Sequence, residues 1–309
     1  SAEVERNSLK LNVNPETGIA TDEKVDWSDL VTRPGTKRDV ASLTLQDEFR
    51  ASDSFTLTTG LRIDSYEEIG DGVAPRIAGV WRLNESNIVK LQYGRAFRPP
   101  TLREQHFSDS ELDPSIIDTL EASYIHKNRR GEQQITLAYS ELGDVVVFTP
   151  TNFYSNASAR LLSSEFEFRE RLGGRFVTDG NVSYVHTEDN VTGGSLALTS
   201  RWFGNLGLQY RTPGIKADFR YRYVDDYSRE QIDPRGDLGG HGQLDLTLTR
   251  KSKKVPGLTM RAGLLNALGE DVRYPALMAT DAVNESIVSY PDDLPRDPRT
   301  WWLKLSYRY

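Results

Sequence analysis

Apolar and polar residues take turns along most of this 309-residue chain. The closing stretch, TWWLKLSYRY, puts Trp301, Leu303, Leu305, Tyr307 and Tyr309 on one face of an extended segment. Trp302, Lys304, Ser306 and Arg308 fall on the other. A period of two marks a β-strand whose faces meet different surroundings. FTLTTGLRID repeats it, with Phe55, Leu57, Leu61 and Ile63 against Thr56, Thr58, Arg62 and Asp64. QITLAYS, ADFRYRY and QLDLTLT do the same. Segments 132–149, 155–170 and 195–212 are predicted as long strands, beyond the usual length of about five or six residues.

The links between these segments alternate in length. Short ones are expected at 51–54, 83–87, 127–131, 172–174, 212–214 and 251–257. Long ones fall at 13–37, 98–115, 226–240 and 269–299, with smaller members of that set near 67–73, 150–154 and 189–194. An antiparallel sandwich with one wet face also alternates apolar and polar residues. A Greek-key sandwich has no reason to alternate its links, whereas an outer-membrane barrel has tight turns at one rim and long loops at the other. The expected fold class is therefore all-β: a transmembrane antiparallel up-and-down β-barrel, with about 14 strands in this chain.

Composition narrows the choice. With 37% hydrophobic and 27% charged residues, and no apolar run near the roughly 18 residues of a spanning helix, a helical membrane protein is excluded. A barrel keeps a polar average because lipid-facing and lumen-facing residues alternate. The 14 Tyr, 11 Phe and 5 Trp fit aromatic girdles, and would also fit a large sandwich. Without Cys there is neither a disulfide frame nor a thiolate metal site. The net charge of −7 argues against nucleic acid as a partner. SAEVERNSLK has no apolar signal core, so the chain is either mature or begins partway into a longer protein.

The order of short motifs carries a family likeness. SLTLQDEFRASDSFTLTTGLRID is similar to a "QDE" strand followed by a "GLR-D" strand. APRIAGVWRLNESNIVKLQYGRAFRPPTL is similar to a "PR-G" strand and then a "G-AFR-PT" strand. TLEASYIHKN resembles the strand that returns after that loop. ASARLLSSEFEFRERL resembles a "GVE" strand, with Ser164 where Gly is usual. LTMRAGLLNALGEDVRYP resembles an "NL-D--Y" motif, from which Leu268 and Gly269 depart. Together, over residues 38–309, the chain resembles the C-terminal part of a TonB-dependent outer-membrane receptor. That resemblance implies a barrel of about 22 strands around a plug, energised through TonB. It implies uptake of a scarce, bulky solute of the ferric siderophore, haem or cobalamin class. Partners would be outer-membrane lipid, the TonB complex (through a plug that this chain lacks), the barrel-assembly machinery and a small-molecule or metal-chelate ligand. No cofactor and no enzymatic activity are expected.

Residues 1–309 are read as one barrel portion without a plug domain. Residues 4–13 are expected to be the upward half of one more strand, with 14–37 as its loop. A fragment of a longer receptor is the favoured reading. A truncated product and a self-contained pore of about 14 strands are the alternatives. Unpaired backbone in lipid costs several kcal/mol per group, so the sheet has to close or find further strands.

The candidate residues follow from position. Val89, Leu91 and Tyr93 are expected to face lipid, and Lys90 and Gln92 the lumen. Pro99 and Pro100 lack N–H donors and end that strand. Arg62, Lys90, Asp218, Arg220, Arg222, Asp245, Arg261 and Lys304 would face the lumen, where charge costs little. Phe97, Arg98, His106, Phe148, Phe153, Tyr154, Tyr227, Arg229 and Tyr274 would sit near the outer rim, offering stacking area and bidentate donors to an anionic chelate. Arg98 is read first as an anchor at the strand top, with ligand contact as the alternative. Leu305, Tyr307 and Tyr309 would carry the assembly signal that the resemblance implies. No pair of His has zinc spacing, and His106 is the sole rim residue with any case for hydrolysis. Asp109, Glu111 and Asp113 alternate in a way that suits Ca²⁺, although the rest of an EF-hand loop is absent. The same caution covers Asp292 and Asp293. N-x-S/T triplets such as that at Asn156 are read as chance.

Overall fold

Thirteen strands pair in sequence order into one antiparallel sheet, each hydrogen-bonded to its neighbours in the chain. They are β1 (Val40–Arg50), β2 (Phe55–Tyr66), β3 (Gly70–Arg82), β4 (Asn87–Arg98) and β5 (Ser115–Lys127). Then come β6 (Gly131–Phe148), β7 (Tyr154–Gly173), β8 (Phe176–Asp189) and β9 (Trp202–Arg211). The sheet ends with β10 (Ile215–Val224), β11 (His241–Lys251), β12 (Leu258–Leu265) and β13 (Thr300–Tyr307). The structure is a computed structural model that describes residues 2–3, 10–13, 20–26, 37–108, 110–148, 154–229, 233–276, 278–281, 286–289 and 293–308. Ala2 pairs with Arg38 and Glu3 with Lys37 in a separate two-stranded sheet, and the thirteen strands of the main sheet agree with a count of about fourteen. Of the segment expected to rise there, Lys10–Val13 pairs with Ala20–Asp26, and 4–9 lie outside the described residues.

Register explains why alternation produces this sheet. Leu91 lies opposite Ala122, Ala122 opposite Leu137, and Leu137 opposite Ser164. Farther along, Phe219, Leu246, Leu264 and Trp301 are successive cross-strand partners. One face is thus apolar across the whole sheet, and that face is bare. Leu91 is 56% exposed, Leu137 54% and Trp301 80%. The described buried apolar residues are only Leu112, Ile125, Ala159, Val272 and Ala276. A sandwich would cover its apolar face with a second sheet. An apolar face this broad needs lipid instead. Among the described residues no helix is long and apolar enough to cross a membrane.

The two rims differ as the link lengths predict. At one rim, a short polar side chain closes five of the six tight turns, the exception being the one through Gly173 and Gly174. Ser52 Oγ accepts from Phe55 N, Asn84 Oδ1 from Asn87 N, and Asn128 Oδ1 from Gly131 N. Thr212 Oγ1 accepts from Ile215 N, and Ser252 Oγ from Val255 N. Such side chains stand in for backbone acceptors and hold the bend. Aromatic rings flank this rim in pairs, Phe55–Trp81 at 5.9 Å and Phe176–Tyr210 at 5.0 Å. Higher on the same face stand Tyr184 and Trp202, with centroids 4.8 Å apart. Tyr93 OH donates to Asp118 at 2.6 Å and Tyr139 OH to Glu141 at 2.7 Å. Rings in hydrocarbon with hydroxyls reaching polar groups form the girdles of a membrane barrel.

Three expectations are corrected. The strand expected at 195–212 begins only at Trp202. Residues 195–200 turn inward because Thr187 Oγ1 takes Leu196 N at 3.0 Å, and Leu198 N bonds Ser228 O at 2.8 Å. The 98–115 loop contains a helix, α1 (Leu102–His106), where no helix was placed. Finally, the 269–299 loop is not structureless: Arg273–Tyr274 pairs with Leu294–Pro295, and Met278–Asp281 with Ser286–Ser289.

Candidate functional site: the loop rim and the polar wall

The long loops form two built platforms. The first surrounds α1. Thr101 caps the helix: its Oγ1 accepts from Glu104 N at 3.2 Å, while Thr101 N donates to Glu104 Oε2 at 2.7 Å. This capping box satisfies two orphan groups at a helix end. Glu104 also pairs with Arg98 at 3.2 Å. Buried Arg38 ties the segment down, donating to Pro100 O at 2.6 Å and to Gln105 Oε1 at 3.0 Å. Phe97 lies across Gly72, where a Cβ would collide with its ring, and 5.8 Å from Tyr66. His106 packs on Phe107 with centroids 4.8 Å apart. Tyr154 N donates to Phe107 O at 3.1 Å, and Ser108 Oγ to Tyr154 O at 2.9 Å. Phe97, Arg98, His106 and Tyr154 therefore share one loop assembly.

The second platform joins the β10–β11 and β12–β13 loops. Tyr227 lies 6.3 Å from Tyr274, edge to face, and 6.4 Å from His241. The Arg296 guanidinium stands 4.9 Å above the Tyr274 ring. Burial beside Tyr274 raises the Tyr227 phenol above its ordinary 10.0. Beside these rings sits a four-charge cluster. Arg229 grips Asp293 with two bonds of 2.9 and 2.6 Å, and Arg235 grips Asp233 with two of 2.9 and 2.6 Å. Asp293 Oδ1 also accepts Ala276 N at 3.0 Å, and Arg235 donates to Ala276 O at 3.0 Å. Arg229 is 6% exposed, Asp233 4% and Asp293 8%. Hydrogen bonds from Arg235 hold the Asp233 carboxyl at about 2, against an ordinary 3.8, and Arg229 lowers Asp293 likewise. Arg229 thus clamps two loops together, with its guanidinium buried in the cluster. Sequence reading left Asp233 and Arg235 unassigned, although the D-x-R spacing of a side-chain-capped turn was available.

On the wall, cross-strand register puts Arg62, Lys90, Asp218, Arg220, Arg222, Asp245, Arg261 and Lys304 all on the polar face. Several are paired there: Arg62 with Asp64 at 2.8 Å, Arg220 with Asp179 at 2.7 Å, Arg222 with Asp245, and Asp218 with Lys216 at 3.0 Å. Arg261 stands opposite Lys304, two like charges side by side. The remaining candidates have no site geometry. Phe153, Asp109, Asp292 and Tyr309 lie outside the described residues, as does the side chain of Phe148. Asp113 is fixed by Asn156, which accepts its N–H at 2.8 Å and donates to its carbonyl at 3.0 Å. The described residues contain no group of three His, Asp or Glu able to hold a metal ion.

A meander with a bare apolar outer face, a charged inner face, tight turns at one rim and built loops at the other is the wall of an outer-membrane β-barrel. The chain belongs to the TonB-dependent receptor-like β-barrel family, whose family model matches residues 7–267. It is a protein of the Gram-negative outer membrane. Over 60 residues it is 38% identical to an iron-regulated outer membrane virulence protein of Vibrio cholerae, a match spanning 19% of this chain and 9% of that protein. The fold resembles the copper transporter OprC, with a TM-score of 0.73 at 16% identity, over 96% of this chain and 51% of that one. It also resembles the ferric enterobactin receptor of Pseudomonas aeruginosa (TM-score 0.73, 16% identity, 97% of this chain and 48% of that one). The ferric-catecholate import receptor Fiu of E. coli K12 has a TM-score of 0.69 at 15% identity, over 88% of this chain and 45% of that one. The chain thus spans about half the length of these solved structures.

Proposed function

We propose that this chain is the barrel portion of a receptor that imports a ferric siderophore across the outer membrane, energised through TonB. The observation that carries this is the family match over a wall whose polar face leads down from two built loop platforms. The platforms supply Tyr227, Tyr274, Arg98 and Arg296 for first capture. Aromatic faces and guanidinium groups suit a bulky, anionic, aryl-rich chelate. A siderophore satisfies the coordination of its own iron, so the wall needs no metal ligands. Cu(I) would call for soft sulfur ligands, and this chain has no Cys and 2 Met. The barrel-assembly machinery would read the terminal strand through Leu305, Tyr307 and Tyr309.

The test is radioiron uptake under iron limitation. Disrupting the gene should abolish import of at least one ferric siderophore, and complementation should restore it, but not in cells lacking TonB. Unchanged import of every ferric siderophore tried would defeat the reading. Passive swelling of proteoliposomes in small sugars, independent of TonB, would favour the alternative of a self-contained pore.

A further inference from the structure

The polar face of the sheet carries an apolar patch that runs across four successive strands. Leu161 on β7, Val185 on β8, Phe203 on β9 and Val224 on β10 occupy positions where their strands elsewhere place Glu, Asn, Gln or Arg on this face. Phe203 and Val224 are direct cross-strand partners, and Leu161 faces Thr187. Above this floor hangs the inturned segment 195–200, which adds Leu196, while Tyr227 closes one side. Together they line an open cavity of about 460 Å³, near the end of the wall that carries the long loops.

The roof is held deliberately. Ser228 Oγ donates to Leu196 O at 2.8 Å, and Thr199 Oγ1 to the same carbonyl at 2.6 Å. Leu198 bends with φ of 60°, in the left-handed region that a branched side chain adopts only when its surroundings hold it there. Residues 195–200 are therefore fixed over the floor. At the rim stands Arg222, 46% exposed. Its Nη2 serves Asp245 and Gln243, and its Nε and Nη1 have no hydrogen-bond partner among the described residues.

We propose that this inner-wall cavity is a binding subsite for a flat aryl group bearing a negative charge, taken from the imported chelate after it leaves the loops. The inference rests on the siderophore reading for its source of ligand, and on the cavity alone for its chemistry. Phe203, 37% exposed and apolar among polar neighbours, offers a ring to stack on. Arg222 offers unused donors for a carboxylate or phenolate edge. The volume lies in the usual range for small-molecule pockets, about 300–1,000 Å³, and suits one substituted ring better than a whole chelate.

The experiment uses the protein purified from outer membranes in detergent, with salicylate as the probe in saturation-transfer NMR. Salicylate ring protons should receive saturation from the wild type. Phe203→Ala should weaken binding about tenfold and Arg222→Gln about fivefold, while Leu206→Ala on the outer face leaves it unchanged. Cyclohexanecarboxylate should bind far more weakly than salicylate. The subsite is overturned if the wild type does not bind salicylate, including through occupation of the cavity by another part of the receptor. Equal binding by Phe203→Ala, or by cyclohexanecarboxylate, overturns it too. Radioiron uptake is read separately: import of every ferric siderophore that survives gene disruption, with salicylate binding by the purified protein intact, counts against the siderophore reading alone.

Discussion

Arg229 shows how far a side chain's type can mislead about its work. Its residue type and its place in a long loop suggested ligand capture, yet both terminal nitrogens of its guanidinium are held by Asp293 in a nearly dry cluster. Removing one partner of a buried ion pair strands the other. Asp293→Ala should therefore loosen the two loops by about 3–5 kcal/mol, far more than loss of a surface pair. Limited proteolysis within 233–240 should become rapid in the variant, and an unchanged cleavage rate would count against the clamp. The same cluster sets a pH response. The folded Asp233 carboxyl lies at about 2 and Asp293 is also depressed, so their stabilisation is complete above the ordinary carboxylate value of 3.8. It fades as pH falls from there through about 2. Protection of the Ala276 amide, which donates to Asp293, should stay high at pH 4 relative to its intrinsic exchange rate and should fall as the acid titration proceeds.

Among elements, strands were far more legible than loops. Alternation finds a strand because one buried or lipid-facing side repeats every second residue, and the ends of β6 and β7 fell close to those expected. The start of β9 was missed because residues 195–200 keep an apolar-polar rhythm while bonding to loop 226–228 rather than to a strand. Only tertiary partners decide that, and periodicity does not see them. Helix α1 was readable: Thr101 followed three residues later by Glu104, just after two prolines, is a capping signature. Thr101→Ala should cost about 1 kcal/mol and speed amide exchange over Arg103–His106 without touching the sheet. The wall gives a sharper contrast. Leu137→Arg on the outer face should cost about 2–4 kcal/mol and lower the heat-modifiable folded fraction. Thr136→Arg, one residue away on the polar face, should leave that fraction near wild type.

At the scale of the whole molecule, the apolar face that would be a liability in water is what anchors the protein in lipid. The last strand belongs to that face, with Trp301, Leu303, Leu305 and Tyr307 all more than half exposed. Deleting Tyr309 should lower the yield of assembled protein in outer membranes; an unchanged yield would remove the terminal strand as an assembly signal. The strict succession of strands has a further consequence. Because every strand pairs only with the ones just before and just after it in the chain, the sheet can grow hairpin by hairpin. No step requires threading one segment past another. Chain entropy is lost in small instalments, and each long loop adds little, since doubling a loop costs only about 0.6 kcal/mol. Evolution can therefore rewrite the outer loops, and with them the choice of cargo, while the order in which the wall assembles stays the same.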